Sequence, residues 1–270
     1  MPAFSLRNLF NNSSIDIDPY GFVSEKVQGP FVVAHVSDLH EKCFGHRNAD
    51  LFEKVRTVQP DIIAVTGDLV AHENQTAADI DYIRFTGEGL VAIAPTYFVT
   101  GNHEKRFGPE IIDALKECGV EVVDHDVRTL DIRGTKVNIG GIPDLDMGGQ
   151  AERALEAFRG LEGFNLFLTH RPEVITEVAG RGIDLVLAGH THAGQIRIPG
   201  VSSLYMMGQG FLPKFMEGEI EIDGTTMIIS RGLGSSGYPT VRFNNPPDLV
   251  AVEISPPRPL DAGLNQTPDV

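Results

Sequence analysis

The sequence has few cysteines, few basic residues and no long apolar run. Cys43 and Cys118 are the two thiols in 270 residues, too few for a disulfide framework, so nothing indicates an oxidising compartment. The sequence has 22 basic and 37 acidic residues, which gives a formal net charge of −15. That charge works against extended contact with nucleic acids or anionic membrane surfaces. An extended nucleic-acid partner is therefore disfavoured.

The first 30 residues contain no apolar stretch long enough for a signal peptide or a membrane span. We expect residues 1–30 to be an N-terminal extension, with an edge strand as one option. Residues 31–255 are expected to form one domain, and residues 256–270 a flexible tail. The expected location is the cytoplasm, with peripheral membrane association and a natural upstream anchor left open. The oligomeric state is also left open.

Short apolar runs recur along the chain and end in Gly, Asp, Asn or His. The runs are 31–36, 62–65, 97–99, 166–168 and 185–188. They are too short for ordinary helices and are rich in β-branched or aromatic residues, which predicts buried strands.

Segments with helical spacing lie between these runs, at 51–58, 111–118 and 151–158. Pro172 suits the first position of a further helix. Two hairpins are predicted, one at 127–139 and one at 220–229, each with a tight turn. The pattern predicts a layered α/β fold that mixes βαβ units with hairpins.

Polar residues follow five apolar runs at their carboxyl ends. They are Asp38, Asp68, Asn102, His170 and His190. Open α/β sheets bind ligands beyond the carboxyl ends of their strands, so these side chains are candidates for one site. Asp38 with His40, and His190 with His192, can each turn toward a single ion as the chain leaves a strand. Mixed carboxylate, imidazole and amide ligands suit Mn²⁺, Fe or Zn²⁺ better than Ca²⁺.

The ordered motifs resemble those of the calcineurin-like metallophosphoesterase superfamily over residues 31–254. They are Asp38-x-His40, Gly67-Asp68, Gly101-Asn102-His103-Glu104, His170 and Gly189-His190-x-His192. Residues 194–199 and 230–234 resemble the small bacterial branch, whose members are often membrane-anchored. Residues 69–71 are Leu-Val-Ala. The protein phosphatases of the superfamily have Asp-Arg-Gly after Gly-Asp, so a protein Ser/Thr phosphatase is disfavoured.

The resemblance implies a four-layer α/β/β/α sandwich with mixed sheets and a centre of two divalent metal ions, Mn, Fe or Zn. The ligands implied for one ion are Asp38, His40 and His192. Those implied for the other are Asn102, His170 and His190, with Asp68 as the bridge. Two cations about 3.5–4 Å apart stabilise both the attacking and the leaving oxygen at phosphorus. His103 matches the catalytic histidine of the family and could protonate the leaving oxygen.

Substrate contacts are less specified. Asn102 is a candidate beside its ligand role. Arg171 could grip a phosphate with its fork of donors, or be a solvated or ion-paired side chain. Arg231 either anchors backbone carbonyls or touches substrate. Residues 205–215 form either a lid for an apolar or lipid-linked diester or a packed loop.

Three further residues are expected to support the fold rather than the reaction. His35 alternates within a buried strand and is predicted to be a hydrogen-bonded core residue. Cys43 is predicted to be a buried, inert thiol. Glu104 is predicted to act as an acceptor that supports its neighbours.

These observations predict a dinuclear metal-dependent phosphoesterase that hydrolyses phosphodiesters, with monoesters as an option, by attack of a metal-bound hydroxide. Its substrate would be a small-molecule or lipid-linked phosphoester. One alternative is a pyrophosphatase acting on a nucleotide-sugar lipid such as UDP-diacylglucosamine. An alternative of another class is a catalytically silent, metal-stabilised binding or scaffold protein. A nuclease is disfavoured by the charge of −15.

Overall fold

The computed structural model describes residues 12–71, 79–144, 150–194, 205–206, 210–211, 214–235 and 242–258. Within these ranges the chain forms two six-stranded sheets, with helices packed on the outer face of each. The predicted tail falls mostly on residues 259–270, outside the described ranges, and the predicted domain boundaries stay predictions.

Sheet I runs through the N-terminal half and closes with the last strand. Its strands are β1 (Asp16–Val23), β2 (Phe31–Val36), β3 (Ile62–Val65), β4 (Thr96–Phe98), β5 (Glu121–Val122) and β14 (Asp248–Ser255). Their order is β1-β14-β2-β3-β4-β5. Strands β2 to β5 are parallel, whereas β14 is antiparallel to β2 and parallel to the edge strand β1.

Sheet II is built from the C-terminal half. Its strands are β6 (Val127–Ile132), β7 (Thr135–Ile142), β8 (Phe164–Thr169), β9 (Leu185–Ala188), β12 (Gly218–Ile222) and β13 (Thr225–Ile229). Their order is β12-β13-β9-β8-β7-β6, with β7, β8, β9 and β13 parallel and a hairpin at each edge. A separate two-stranded ribbon joins β10 (Tyr205–Met206) to β11 (Gly210–Phe211).

The helices cover the outer faces of the sheets. They are α1 (Ala49–Thr57), α2 (Ile80–Val91), α3 (Asn102–Phe107), α4 (Glu110–Glu117), α5 (Gln150–Phe158) and α6 (Ile175–Val178). Helix α2 begins after Asp79, whose carboxylate accepts from the backbone N–H of Tyr82 at 3.0 Å and so satisfies a free helix donor. Helix α4 is followed by Gly119 at φ +87, a conformation that glycine adopts without steric cost.

Alternation along the strands divides the core into layers. Phe31 and Val33 of β2 face the core between the two sheets, while Ala34 and Val36 of the same strand face the helices. Helices α1, α2 and α4 pack on sheet I, and α5 and α6 on sheet II. The predicted four-layer α/β/β/α arrangement is therefore confirmed.

The predicted strands, helices and hairpins are confirmed to within a few residues. The helix expected at Pro172 is a 3-10 turn, Pro172–Val174, that leads into the short α6. The prediction that Cys43 is buried is wrong, because Cys43 is exposed on the loop after β2. No helix among the described residues is long and apolar enough to cross a bilayer.

Candidate metal centre

The predicted ligands come together where the parallel strands of both sheets end. Asp38 and Asp68 lie in the loops after β2 and β3, and Asn102 opens α3 after β4. His170 and His190 follow β8 and β9 of sheet II. The loops after β2 and β3 are hydrogen-bonded to each other, since the N–H of Asp38 donates to the carbonyl of Gly67 at 3.1 Å.

The backbone at the centre is held in an uncommon conformation. Five predicted ligands have left-handed φ angles: Asp38 at 55°, His40 at 48°, Asp68 at 54°, His190 at 72° and His192 at 48°. Such conformations cost non-glycine residues about 1–3 kcal/mol each, and they cluster at functional sites. Holding these side chains in position therefore lowers the stability of the fold.

Close contact between the loops requires glycine at two positions. A Cβ on Gly189 would lie 1.9 Å from Ser37 Oγ, and a Cβ on Gly101 would lie 2.3 Å from Asp68 Oδ1. Gly189 thus lets the loop after β9 of sheet II approach the loop after β2 of sheet I, and Gly101 lets the loops after β3 and β4 approach each other within sheet I.

The first subsite consists of Asp38, His40 and His192, all buried. The Nε2 atoms of the two histidines face each other at 3.0 Å. Asp38 Oδ1 lies 3.5 Å from Nε2 of His192 and 3.9 Å from Nε2 of His40. Three donor atoms of the kinds that bind Zn²⁺, Mn²⁺ or Fe therefore converge.

The second subsite consists of Asn102, His170 and His190, with Asp68 beside them. His170 Nε2 lies 3.1 Å from Asn102 Oδ1, 3.1 Å from His190 Nδ1 and 3.2 Å from Asp68 Oδ2. The same Asp68 oxygen lies 3.8 Å from Nε2 of His40 in the first subsite. Asp68 Oδ2 therefore faces both subsites.

Two of the imidazoles are oriented as metal ligands. Nδ1 of His40 lies 3.2 Å from the carbonyl of Val70, and Nδ1 of His170 lies 2.7 Å from the carbonyl of Thr66. A carbonyl only accepts, so Nδ1 carries the proton in each ring. In the neutral ring, Nε2 then presents its lone pair to the centre, as metal-binding histidines do.

The charges of the centre also suit a cation. Burial lowers the pKa of His170, but the carboxylates of Asp68 and Asp38 outweigh it and raise the pKa to about 10. Burial raises the pKa of Asp38 to about 6. Two buried carboxylates thus draw a positive charge into the space between them, and a divalent ion would supply it. The residues present fit metal ions.

A sequence profile of the calcineurin-like phosphoesterase family matches residues 31–194, more than half of the chain. The chain belongs to this family. It is therefore a metal-dependent phosphoric ester hydrolase.

Relatives of this phosphoesterase cover most of its length. An uncharacterized metallophosphoesterase of Aquifex aeolicus is 30% identical to this chain, and the match covers 88% of this chain and 91% of that protein. Phosphodiesterase YaeI of Escherichia coli is 26% identical over 83% of this chain and 82% of its own. The crystal structure of the calcineurin-like phosphoesterase YfkN from Bacillus subtilis has a TM-score of 0.50 and 14% identity. It covers 84% of this chain and 90% of that chain, and it supports the fold.

His103 of the phosphoesterase lies next to His40 of the first subsite and to Asp68. Its side chain is buried, its Nε2 lies 3.7 Å from Asp68 Oδ2, and its ring packs edge-on against His40 at 4.5 Å between centroids. The backbone N–H of His103 donates to Asp68 Oδ1 at 3.0 Å. The catalytic histidine predicted from the sequence is thus adjacent to the carboxylate that faces both subsites.

Glu104 supports the loops, as predicted. Its Oε2 accepts from the N–H groups of Gly101 at 2.8 Å and Asp68 at 2.9 Å. Its Oε1 accepts from those of Leu69 at 2.7 Å and Val70 at 3.3 Å. One buried carboxylate therefore ties the Gly-Asn-His-Glu turn to the Gly-Asp loop.

Arg171 lies at the rim of the second subsite. Its Nε donates to Asp144, and a terminal nitrogen lies 3.0 Å from Nε2 of His190. The guanidinium is therefore ion-paired, which is one of the alternatives left open for Arg171, and it is also adjacent to a predicted ligand.

Arg231 is held by acidic residues of sheet I. Its guanidinium lies 3.2 Å from Asp248 Oδ1 and 3.8 Å from Asp18 Oδ2, and its side chain is mostly buried. This position favours the anchoring alternative over a substrate contact, although the partners are carboxylates and not the predicted backbone carbonyls.

Arg242 is a functional candidate that sequence reasoning missed. Its side chain is fully buried and donates to the carbonyls of Arg231, Gly234 and Asn245. Asn245 in turn donates to the carbonyl of His192 at 2.7 Å. Arg242 thus fixes the loops around the first subsite. No local motif surrounds it, so no signal in the sequence distinguished it from a surface arginine.

The lid hypothesis rests on residues that are described only in part. Phe215 is buried in the core cluster between sheet II and its helices. The side chain of Phe211 and residues 207–209 and 212–213 lie outside the described part of the chain. The position of Phe215 is that of a packed residue.

Proposed function

We propose that this phosphoesterase hydrolyses phosphodiesters at a dinuclear metal centre. The observation that carries the proposal is the position of Asp68. Its Oδ2 lies 3.2 Å from Nε2 of His170 and 3.8 Å from Nε2 of His40, so one oxygen serves both subsites. A shared carboxylate is what holds two ions at the short separation that in-line displacement at phosphorus requires.

When bound, the two ions activate water for attack and neutralise charge on the phosphoryl oxygens. The protein contributes the positions of the groups around them. Asp38 and Asp68 are held in strained loops and cannot drift apart without breaking the contacts described above. His103, buried beside Asp68, is placed to donate a proton to the leaving oxygen.

The contact between Arg171 and His190 supports a substrate role for Arg171. An arginine only donates, so Nε2 of His190 accepts and its Nδ1 carries the proton. If His190 bound an ion through Nδ1, its proton would be on Nε2, and the ring would no longer accept from Arg171. The N–H groups of Arg171 would then be free to donate to a phosphate oxygen. Asn102, a half-buried residue of the second subsite, is the other proposed substrate contact.

Diesters are favoured over monoesters because the similar Escherichia coli protein is named a phosphodiesterase. The strongly negative charge of −15 also disfavours polyanionic substrates, and a diester carries one charge fewer per phosphate than a monoester at neutral pH.

The test is a hydrolysis panel on apo protein reconstituted separately with Mn²⁺, Zn²⁺, Fe²⁺ and Mg²⁺. The panel contains aryl mono- and diesters, nucleotides and a lipid-linked diphosphate. We expect faster turnover of the aryl diester than of the monoester, and none by the apo protein. Two bound ions without turnover of any ester would contradict the proposal and favour the scaffold alternative. Preferential cleavage of the diphosphate would favour the pyrophosphatase alternative.

A further inference from the structure

A chain of buried hydrogen bonds leads from the core between the sheets to the first subsite. His35 Nε2 lies 2.8 Å from Thr66 Oγ1, which lies 2.8 Å from Ser37 Oγ, which lies 2.5 Å from Asp38 Oδ2. All four residues have no exposed surface. His35 belongs to β2, and the other three follow β2 and β3, so the chain crosses between neighbouring strands.

The direction of every proton in this chain is set by its last member. The Asp38 carboxylate only accepts, so the hydroxyl of Ser37 donates to it. Ser37 Oγ must then accept from the hydroxyl of Thr66, and Thr66 Oγ1 must accept from Nε2–H of His35. His35 is therefore the Nε2–H tautomer, and its buried Nδ1 has no hydrogen-bond partner among the described residues. Burial lowers the pKa of His35 to about 3, so the ring is neutral.

The chain decides which oxygen of Asp38 is available to an ion. Oδ2 accepts from Ser37 at 2.5 Å, a donor that Oδ1 does not share, whereas the N–H of His190 lies 3.0 Å from Oδ2 and 3.2 Å from Oδ1. Oδ1 faces the other ligands of the first subsite, with His192 Nε2 at 3.5 Å. The Ser37 hydroxyl at Oδ2 thus leaves Oδ1 directed toward the histidines of the first subsite.

Thr66 connects both subsites through different atoms. Its hydroxyl acts on Asp38 through Ser37, while its carbonyl accepts from Nδ1 of His170 at 2.7 Å. Removing the hydroxyl alone therefore affects the first subsite and leaves the carbonyl contact of the second subsite in place.

We propose that Thr66 and His35 are positioning residues for the first metal subsite, acting through Ser37 to hold Asp38 with Oδ1 toward the ion. Neither residue touches substrate. The inference rests on the proposed function, because it takes Asp38 as a ligand.

The first test titrates Zn²⁺ into apo protein by calorimetry. Thr66→Val keeps the size, the β-branch and the carbonyl of Thr66 but removes its hydroxyl. We expect one of the two binding events to weaken about 10–100-fold, as for other groups that orient a ligand, and the other to be unchanged. Thr66→Ser should restore wild-type affinity. Thr96→Val is the matched control, because Thr96 is a buried threonine of sheet I whose hydroxyl donates to the carbonyl of Ala94.

The second test needs no variant and detects the tautomer of His35 by long-range ¹H–¹⁵N NMR on the wild-type protein. We expect Nε2–H, and Nδ1–H would overturn the inference even if Thr66→Val failed to fold.

In the calorimetric test, equal Zn²⁺ affinity of Thr66→Val and wild type in both binding events would overturn the inference while the proposed function stands. Failure of the wild type to bind two ions would overturn both.

Discussion

At the scale of single residues, the centre is built from side chains that use both of their polar ends. His40 and His170 each give one ring nitrogen to a backbone carbonyl and turn the other toward the centre. Glu104 gives both oxygens to backbone N–H groups and none to the subsites. The residues that orient the ligands and those that would act on substrate can therefore be separated by substitution.

His103→Ala should retain metal and lose turnover. The ring lies beside Asp68 but belongs to neither predicted ligand set, and general acid catalysis by a positioned side chain contributes about 10²–10⁴-fold. The measurements are kcat on an aryl diester and bound metal by elemental analysis. His46→Ala, at an exposed histidine, is the control. Wild-type turnover by His103→Ala would remove His103 from the mechanism.

Glu104→Gln should destabilise the fold. The amide NH₂ of glutamine would face backbone N–H groups that now donate to the carboxylate. Each buried donor left without a partner costs about 1–3 kcal/mol. The free energy of unfolding in urea measures the loss. Glu117→Gln, in an exposed ion pair with Arg84, should change it by less than about 1 kcal/mol. Equal stability of both variants would contradict this role of Glu104.

At the scale of elements, loops from different strands interlock at the centre, and this sets the limit of prediction from sequence. The sequence predicts strands β3 and β9 at their observed bounds, because both faces of each strand are buried and every residue is apolar. Strand β1 has half-buried and exposed residues with Pro19 and Gly21, so no apolar run indicates it. Helix α2 contains Gly87 and Gly89, weak helix formers, and depends on packing.

The residues of the site also divide into those that the sequence reveals and those that it does not. The ligand motifs are local and could be found, since each follows a strand within a few residues. The roles of Thr66 and Arg242 depend on partners distant in sequence: the hydroxyl of Thr66 contacts Ser37, 29 positions away, and Arg242 lies 50 positions from His192. Such contacts exist only once the strands that carry these residues have come together, so no spacing in the sequence reveals them.

Gly189→Ala tests the close approach of the loops. A Cβ there would lie 1.9 Å from Ser37 Oγ and 2.5 Å from Asp38 Oδ2, so the loops must separate. Overpacking of this kind costs about 1–3 kcal/mol, and it should also weaken metal binding by displacing Asp38. Thermal unfolding and Zn²⁺ titration measure the two effects. Gly21→Ala, with nothing within 4 Å of the added Cβ, is the control. Gly189→Ala that matches Gly21→Ala in both would refute the requirement.

At the scale of the whole molecule, the centre joins the two sheets. Asp38 and Asp68 come from sheet I, and His170 and His190 from sheet II. The sheets are also joined near this edge by the bridge between Asp124 and Gly141. An ion bound by ligands of both sheets binds the folded state and not the unfolded chain, so metal binding should stabilise the entire fold.

Mn²⁺ should therefore raise the melting temperature. Free metal at 100 times the dissociation constant adds about 2.7 kcal/mol to the free energy of unfolding for one site. The measurement is thermal unfolding with increasing Mn²⁺ and after chelation. Mg²⁺-free buffer with Ca²⁺, which prefers oxygen ligands alone, is the control and should have a smaller effect. A melting temperature indifferent to Mn²⁺ would contradict the joining of the sheets by metal.

The central claim is that two ions share Asp68 and that turnover requires both. The most direct measurement is bound Mn²⁺ per chain together with aryl diester hydrolysis, for the wild type and for Asp68→Asn. The account predicts two ions and turnover in the wild type, and fewer than two ions with loss of turnover in Asp68→Asn. An Asp68→Asn protein that binds two ions and hydrolyses the diester at the wild-type rate would contradict it.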